Sequence, residues 1–270
     1  MIYLLTHIGG KFPDYVKYNI RQIHRKNSNC TIYLCGDTKP DFIDEKYTFI
    51  HTSELNIPHT NYLINEPDPL WYGSLMRIFL INSFMQKENV EGIIHFDNDV
   101  MIYSDFTKLI NELDRKNYIT PHKYTEYTFG FSYLNNKDEF NILTNRILET
   151  IAHGESKVRQ ITGDEIHEMR LLGLCGNDLI SPLPVHPEIG SINEFIFDPS
   201  SYGQYIGGTP NGHSPGFIDK TQLVGNYFSE QKPDIIYSPE DEIFHYRYAD
   251  KIYKIFNLHV HSKKLEMFLL

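Results

Sequence analysis

Residues 93–103 read Ile-Ile-His-Phe-Asp-Asn-Asp-Val-Met-Ile-Tyr, an apolar run broken by two carboxylates and then resumed. The apolar part reads as a buried strand, and Asp97 and Asp99 arrive where that strand should leave its sheet. Strand geometry sends positions i and i+2 to the same side, so both carboxylates converge on one object. Two ionised carboxylates a few ångströms apart repel by roughly 1 to 4 kcal/mol, depending on local dielectric. A bound cation removes that repulsion. Mg²⁺ and Mn²⁺ favour carboxylate-led sites of this kind, with positions left open for phosphate. The plainer alternative is a polar Asp-Asn-Asp turn that caps its own backbone.

Around this stretch, β-rich apolar runs at 2–6, 31–35, 48–51, 92–96, 118–120 and 129–134 alternate with helical patterns at 13–25, 71–86, 106–113 and 138–152. Alternation of strand and helix predicts an α/β fold with a mostly parallel central sheet flanked by helices. Ligands bind such sheets at the carboxyl ends of the strands. Beyond residue 155 the pattern changes to a helix in TGDEIHEMRLLGL, a strand in LISPLPV, a Gly/Pro-rich stretch at 203–216 and a β-rich end at 235–260. No repeat or low-complexity tract interrupts it, so one domain over 1–270 with an elaborated second half is expected.

The net charge of −10 weighs against a nucleic-acid partner, because binding that backbone depends on Lys and Arg neutralising phosphates. Three cysteines without a CxxC spacing indicate neither a disulfide framework nor a zinc knuckle, and a reducing, cytoplasmic setting is expected. The first residues, MIYLLTHIGG, lack a basic start and read as a strand, not a signal peptide. No apolar run approaches the roughly 20 residues of a membrane helix.

Near the C-terminus, NLHVHSKKL alternates Leu258 and Val260 with His259 and His261, which sets both imidazoles on one side of a short strand. Histidine is a common metal ligand, and Lys263 just beyond is a point charge suited to phosphate.

Together these pieces resemble the GT-A glycosyltransferases. The resemblance is carried by HFDNDVMIY, the preceding helix WYGSLMRIFLINSFM with its arginine, GFSYLNN, FDPSSYGQYIGGTP, SPGFIDK and HVHSK, in that order over nearly the whole chain. It implies a Rossmann-like GT-A fold, with a donor-binding half at about 1–135 and an acceptor and C-terminal half at about 136–270. The implied activity is metal-dependent transfer of a sugar from a nucleotide-diphospho-sugar, UDP-sugar favoured, to a glycan or other hydroxyl acceptor. Asp97 would lie near the ribose and metal, and Asp99 would bind Mn²⁺ or Mg²⁺ directly. A C-terminal histidine, His261 ahead of His259, would complete the metal site, and Lys263 would contact the diphosphate. Thr6, His7 and Gly9 fall where such folds hold the nucleobase, with a plain turn at the glycines as the alternative; Arg77 falls where donor phosphate or sugar binds, with a structural salt bridge as the alternative, and Gln204 on the substrate side.

An inverting transfer also needs a general base aimed at the acceptor hydroxyl. Asp164 and Glu165 in TGDEIHEM are candidates, with Glu168 one turn on sharing their face. The same acids also read as charges that favour a helix N-terminus. Asp198 is the other candidate, although an aspartate before Pro199 equally reads as a helix N-cap with proline at N1. The run GGTPNGHSPGF reads as an irregular loop, with a water-excluding lid as one reading.

Two rival classes stay open. A haloacid-dehalogenase-type phosphatase would use Asp97 as nucleophile and Asp99 as acid/base, but its motif usually opens the core, whereas here three strands come first. A non-catalytic carbohydrate-binding protein on the same fold is the other.

Overall fold

The computed structural model of the protein describes residues 1–42, 45–58, 69–153, 159–160, 167–209 and 214–269. Strand β1 (Ile2–Lys11) buries Tyr3 and Leu5 on one face and Leu4 on the other, as a strand in the middle of a covered parallel sheet must. Helix α1 (Val16–Lys26) returns the chain to β2 (Thr31–Thr38), and β3 (Thr48–His51) lies beyond it. Helix α2 (Pro69–Glu88) leads into β4 (Ile93–His95), which pairs with the other side of β1. Strand β5 (Val100–Ile102) then departs from this sheet.

Strands β6 (Asn117–Lys123) and β7 (Glu126–Leu134) form a hairpin. Helices α3 (Lys137–Ala152) and α4 (Glu168–Gly176) follow, and β8 (Ile180–Pro182) pairs parallel to β6. The resulting order is β3-β2-β1-β4-β7-β6-β8, with β7 antiparallel to both of its neighbours and the other pairings parallel. The expected α/β architecture with a mostly parallel central sheet is therefore present.

One face of the sheet is covered by α2, α3 and α4, through Leu75, Ile78, Phe79, Phe140, Leu143 and Leu171. The other face packs against α1 and the second half of the chain. That half contains β9 (Phe195–Ile196), the helical turn α5 (Tyr202–Tyr205), α6 (Leu223–Glu230), β10 (Asp234–Ser238), β11 (Ile243–Tyr248), β12 (Lys251–Ile255) and β13 (Asn257–His259). Phe106, Phe131, Phe197 and Phe256 interlock with ring centroids 5.1 to 6.3 Å apart. These four rings fasten the central sheet to the tail, and aromatic contacts of this kind add to simple burial.

Two local expectations are corrected. Residues 106–113 form two 3₁₀ turns, Phe106–Lys108 and Ile110–Glu112, in place of one α-helix. A stretch that short gains little from helical hydrogen bonds, and burial of Phe106 decides its path. Strand β4 also stops two residues before Asp97. The aspartates sit in a β-turn closed by Val100 N donating to Asp97 O at 3.0 Å, so turn geometry, not strand alternation, brings them together. Among the described residues no helix is long and apolar enough to cross a membrane.

Candidate metal and substrate site

The aspartate turn stands at the carboxyl end of β4. Asp97 N donates to Phe129 O at 3.0 Å, and the middle residue, Asn98, donates from Nδ2 to Thr6 O at 2.9 Å. Asn19 Nδ2 on α1 donates to Asn98 O at 2.9 Å. The turn is thus tied to β1, β7 and α1 through its main chain and Asn98.

The tail reaches them by a backbone ladder. Strand β13 pairs antiparallel with β5, with His259 opposite Val100, and Val260 N donates to Asp99 O at 2.7 Å. His259 Nε2 lies 3.1 Å from Asp99 Oδ1 and 3.7 Å from Asp97 Oδ2. Its other nitrogen, Nδ1, faces Pro199 O at 3.2 Å. A carbonyl can only accept, so Nδ1 donates to Pro199 O, and Nε2 is the ring nitrogen that faces the aspartates. The His261 ring stacks on His259 at 4.2 Å. Lys263, in a left-handed backbone conformation, places Nζ on Asp99 Oδ2.

Ligand atoms of Asp99, His259 and His261 all lie within 4.8 Å of one another. The donor chemistry fits a divalent cation. His261 Nε2 is buried without a hydrogen-bond partner, and a buried ring nitrogen left unpaired in this way is a cost that coordination would remove. Burial, with His259 beside it, pushes His261 down to about 3, so the ring is neutral near pH 7. Burial alone would raise the Asp99 carboxyl, but His259 and Lys263 hold it far below the usual carboxylate range. His259 makes the direct contacts with both aspartates, and the His261 ring stacks against it.

Asp198 has a different position from that of a general base. It is fully buried and accepts from Ser201 N at 2.6 Å, Tyr202 N at 2.9 Å, Gly203 N at 2.8 Å and His259 N at 2.9 Å. Burial pushes its carboxyl up, and these N–H groups pull it back. Its own backbone is clamped by Asn257, which accepts from Asp198 N at 3.1 Å and donates to Asp198 O at 2.9 Å. With its oxygens taken by backbone N–H groups and no exposed surface, Asp198 anchors the His259 strand and cannot reach an acceptor hydroxyl. Gly203 is part of the same joint, since a Cβ there would lie 2.2 Å from His259 O. Gln204 is buried on that helical turn.

Arg77 reaches Asp97 Oδ1 with Nη1 and Glu168 Oε1 with Nη2, the latter at 3.2 Å. Thr6 is buried in the middle of β1 beside the turn, and His7 packs on Phe12 at 5.4 Å. Gly9 has φ of +88°, with N donating to Asp37 Oδ2 at 2.7 Å, so its glycine is required by backbone conformation. Asp164 and Glu165 lie outside the described residues, as do residues 210–213 of the loop read as a lid. The sequence reading missed Asn257 and the Pro199 carbonyl as supports of the site, and an asparagine directly before LHVH was the available signal.

No protein-family model matches the chain, and no curated protein matches it. Among solved structures it is similar to the glycosyltransferase GlyE of Streptococcus pneumoniae TIGR4, at 15% identity over 67% of this chain and 45% of that one, with a TM-score of 0.47. It is also similar to the galactosyltransferase LgtC in complex with donor and acceptor sugar analogs, at 8% identity over 68% and 73% of the two chains, TM-score 0.43. A third is the apo bifunctional glycosyltransferase WbbM, at 9% identity over 78% and 40%, TM-score 0.43. The chain spans less than half the length of GlyE, and at these identities the likenesses concern the fold alone.

Proposed function

We propose that the chain is a metal-dependent glycosyltransferase that uses a nucleotide-diphospho-sugar, UDP-sugar favoured, and transfers its sugar to a glycan or other hydroxyl acceptor. The observation that carries this reading is the meeting of Asp99, His259 and His261 within 4.8 Å at the carboxyl end of a central strand. Asp99, His259 and His261 would hold the cation, with Asp97 alongside. Imidazole nitrogens favour Mn²⁺ over Mg²⁺, which keeps to oxygen donors. When bound, the cation supplies Lewis-acid neutralisation of the charge that develops on a diphosphate leaving group.

The chain's own residues complete the donor side. Lys263 is half-exposed, so its ammonium is free to move from Asp99 to a phosphate oxygen. Arg77 holds Asp97 by one oxygen. Thr6, His7 and Gly9, on β1, whose Thr6 carbonyl accepts from the turn, are proposed to face the nucleobase, and Gln204 the sugar. Asp164 and Glu165 remain the proposed base candidates. This division gives about 1–135 to the donor and about 136–270 to the acceptor and the tail that closes the metal site.

The pinning of Asp97 by Arg77 disfavours the phosphatase reading, because a carboxylate engaged by a guanidinium is a poor nucleophile. A panel of UDP-, GDP- and CDP-sugars with Mn²⁺, read by thermal shift and by slow donor hydrolysis, tests the proposal. Stabilisation by one nucleotide class only with Mn²⁺ is expected. Release of phosphate from simple phosphomonoesters, with no response to any nucleotide-sugar, would replace it with the phosphatase.

A further inference from the structure

Arg77 is held on three sides. Nη1 meets Asp97 Oδ1, Nη2 meets Glu168 Oε1 at 3.2 Å, and the guanidinium lies over the Phe129 ring at 5.1 Å. Glu168 is the first residue of α4, and its side chain is 5% exposed. Its second oxygen, Oε2, is buried with no hydrogen-bond partner. A buried carboxylate is costly unless paired, so this one is committed to Arg77. The helix start does not depend on it for a cap, since His167 Nδ1 already accepts from Arg170 N at 3.3 Å.

We propose that Glu168 is a positioning residue for the cation site, acting through Arg77. A guanidinium with one partner can pivot, whereas two carboxylates fix its planar fork. Fixed in this way, Arg77 takes Asp97 Oδ1 and leaves Oδ2 turned to His259. Glu168 also balances the positive charge of Arg77, which would otherwise oppose a divalent cation nearby. Glu168 thereby raises cation affinity without touching the cation. This rests on the reading of Asp99, His259 and His261 as a cation site.

The test is calorimetric titration of the full chain with Mn²⁺ alone. Glu168→Ala should raise Kd about 10-fold, in the range of lost supports behind metal ligands, and Glu168→Gln, which keeps an acceptor for Nη2, should raise it less. In an Arg77→Ala background, Glu168→Ala should change nothing further, since its effect passes through that side chain. A Glu168→Ala Kd equal to that of the wild type overturns the proposal, as does a full loss that persists without Arg77. If Glu168→Ala does not fold, Glu168→Gln decides alone: a higher Kd that vanishes in the Arg77→Ala background supports the proposal, and an unchanged Kd overturns it. Failure of the wild type to bind Mn²⁺ is distinguishable, because it removes the cation site itself and this inference with it.

Discussion

His259 Nε2 lies 3.1 Å from Asp99 Oδ1, although the two residues come from opposite halves of the chain. The link is set by main chain: Val260 N donates to Asp99 O and His259 pairs with Val100, so the imidazole arrives with its strand already registered. A side chain delivered by a ladder loses little freedom on binding a ligand.

This ranking of the histidines is measurable. His259→Ala should weaken Mn²⁺ binding at least 10-fold and by more than His261→Ala, given that outer supports alone are worth about that much. Paired titrations decide it, and a larger loss in His261→Ala would return the leading role to that ring.

Asp198 is expected to act on stability. Asp198→Asn exchanges one oxygen for an amide nitrogen that cannot accept, which strands one buried pair of N–H groups, either Ser201 and Tyr202 on Oδ1 or Gly203 and His259 on Oδ2. Leaving buried donors unpaired should cost about 3 kcal/mol in denaturant unfolding. A general base would behave otherwise, with turnover falling and unfolding unchanged.

Gly203→Ala should damage both the fold and the metal site. The added methyl would meet His259 O at 2.2 Å, and relief requires parting β13 from the helical turn that carries Gly203. Overpacking of this kind costs about 1 to 3 kcal/mol. A parallel loss of Mn²⁺ affinity is expected, and normal affinity in a destabilised variant would show that the joint does not position His259.

Acid should weaken the fold early. Burial pushes His186 down to about 4 from 6.5, as it does His122. Between those values the unfolded chain binds the extra proton, so this part of the stability is complete above pH 6.5 and drains as pH falls toward 4. His186 lies flat on Tyr227 at 4.0 Å, a contact that His186→Phe retains. Unfolding measured at pH 7.5 and pH 5 should show a smaller acid loss in that variant, by on the order of 1 to 2 kcal/mol. An equal loss would place the titration elsewhere.

Local patterns made much of this legible. Runs of apolar residues with alternating helical stretches indicated β1, β2, β3 and β4 and the helices α1 and α2 nearly in place, because buried parallel strands and long amphipathic or core helices leave strong local signals. The DxD turn and the HVH tail were visible for the same reason. What stayed hidden was pairing at a distance. Nothing within TGDEIHEM shows that Glu168 meets Arg77, and FDPSSYG, which reads as a cap at Asp198, does not show that the same carboxylate also takes the N–H of His259. Those partners exist only after the second half of the chain has packed on the sheet, and a short motif carries no record of what will lie opposite.

The central claim is a divalent cation gripped between the end of β4 and the tail. Calorimetry of UDP binding, with and without Mn²⁺, on the wild type and Asp99→Asn tests it most directly. The account predicts tight binding only for the wild type with Mn²⁺, and loss of that metal dependence in the variant. Equal UDP affinity in all four titrations would contradict it.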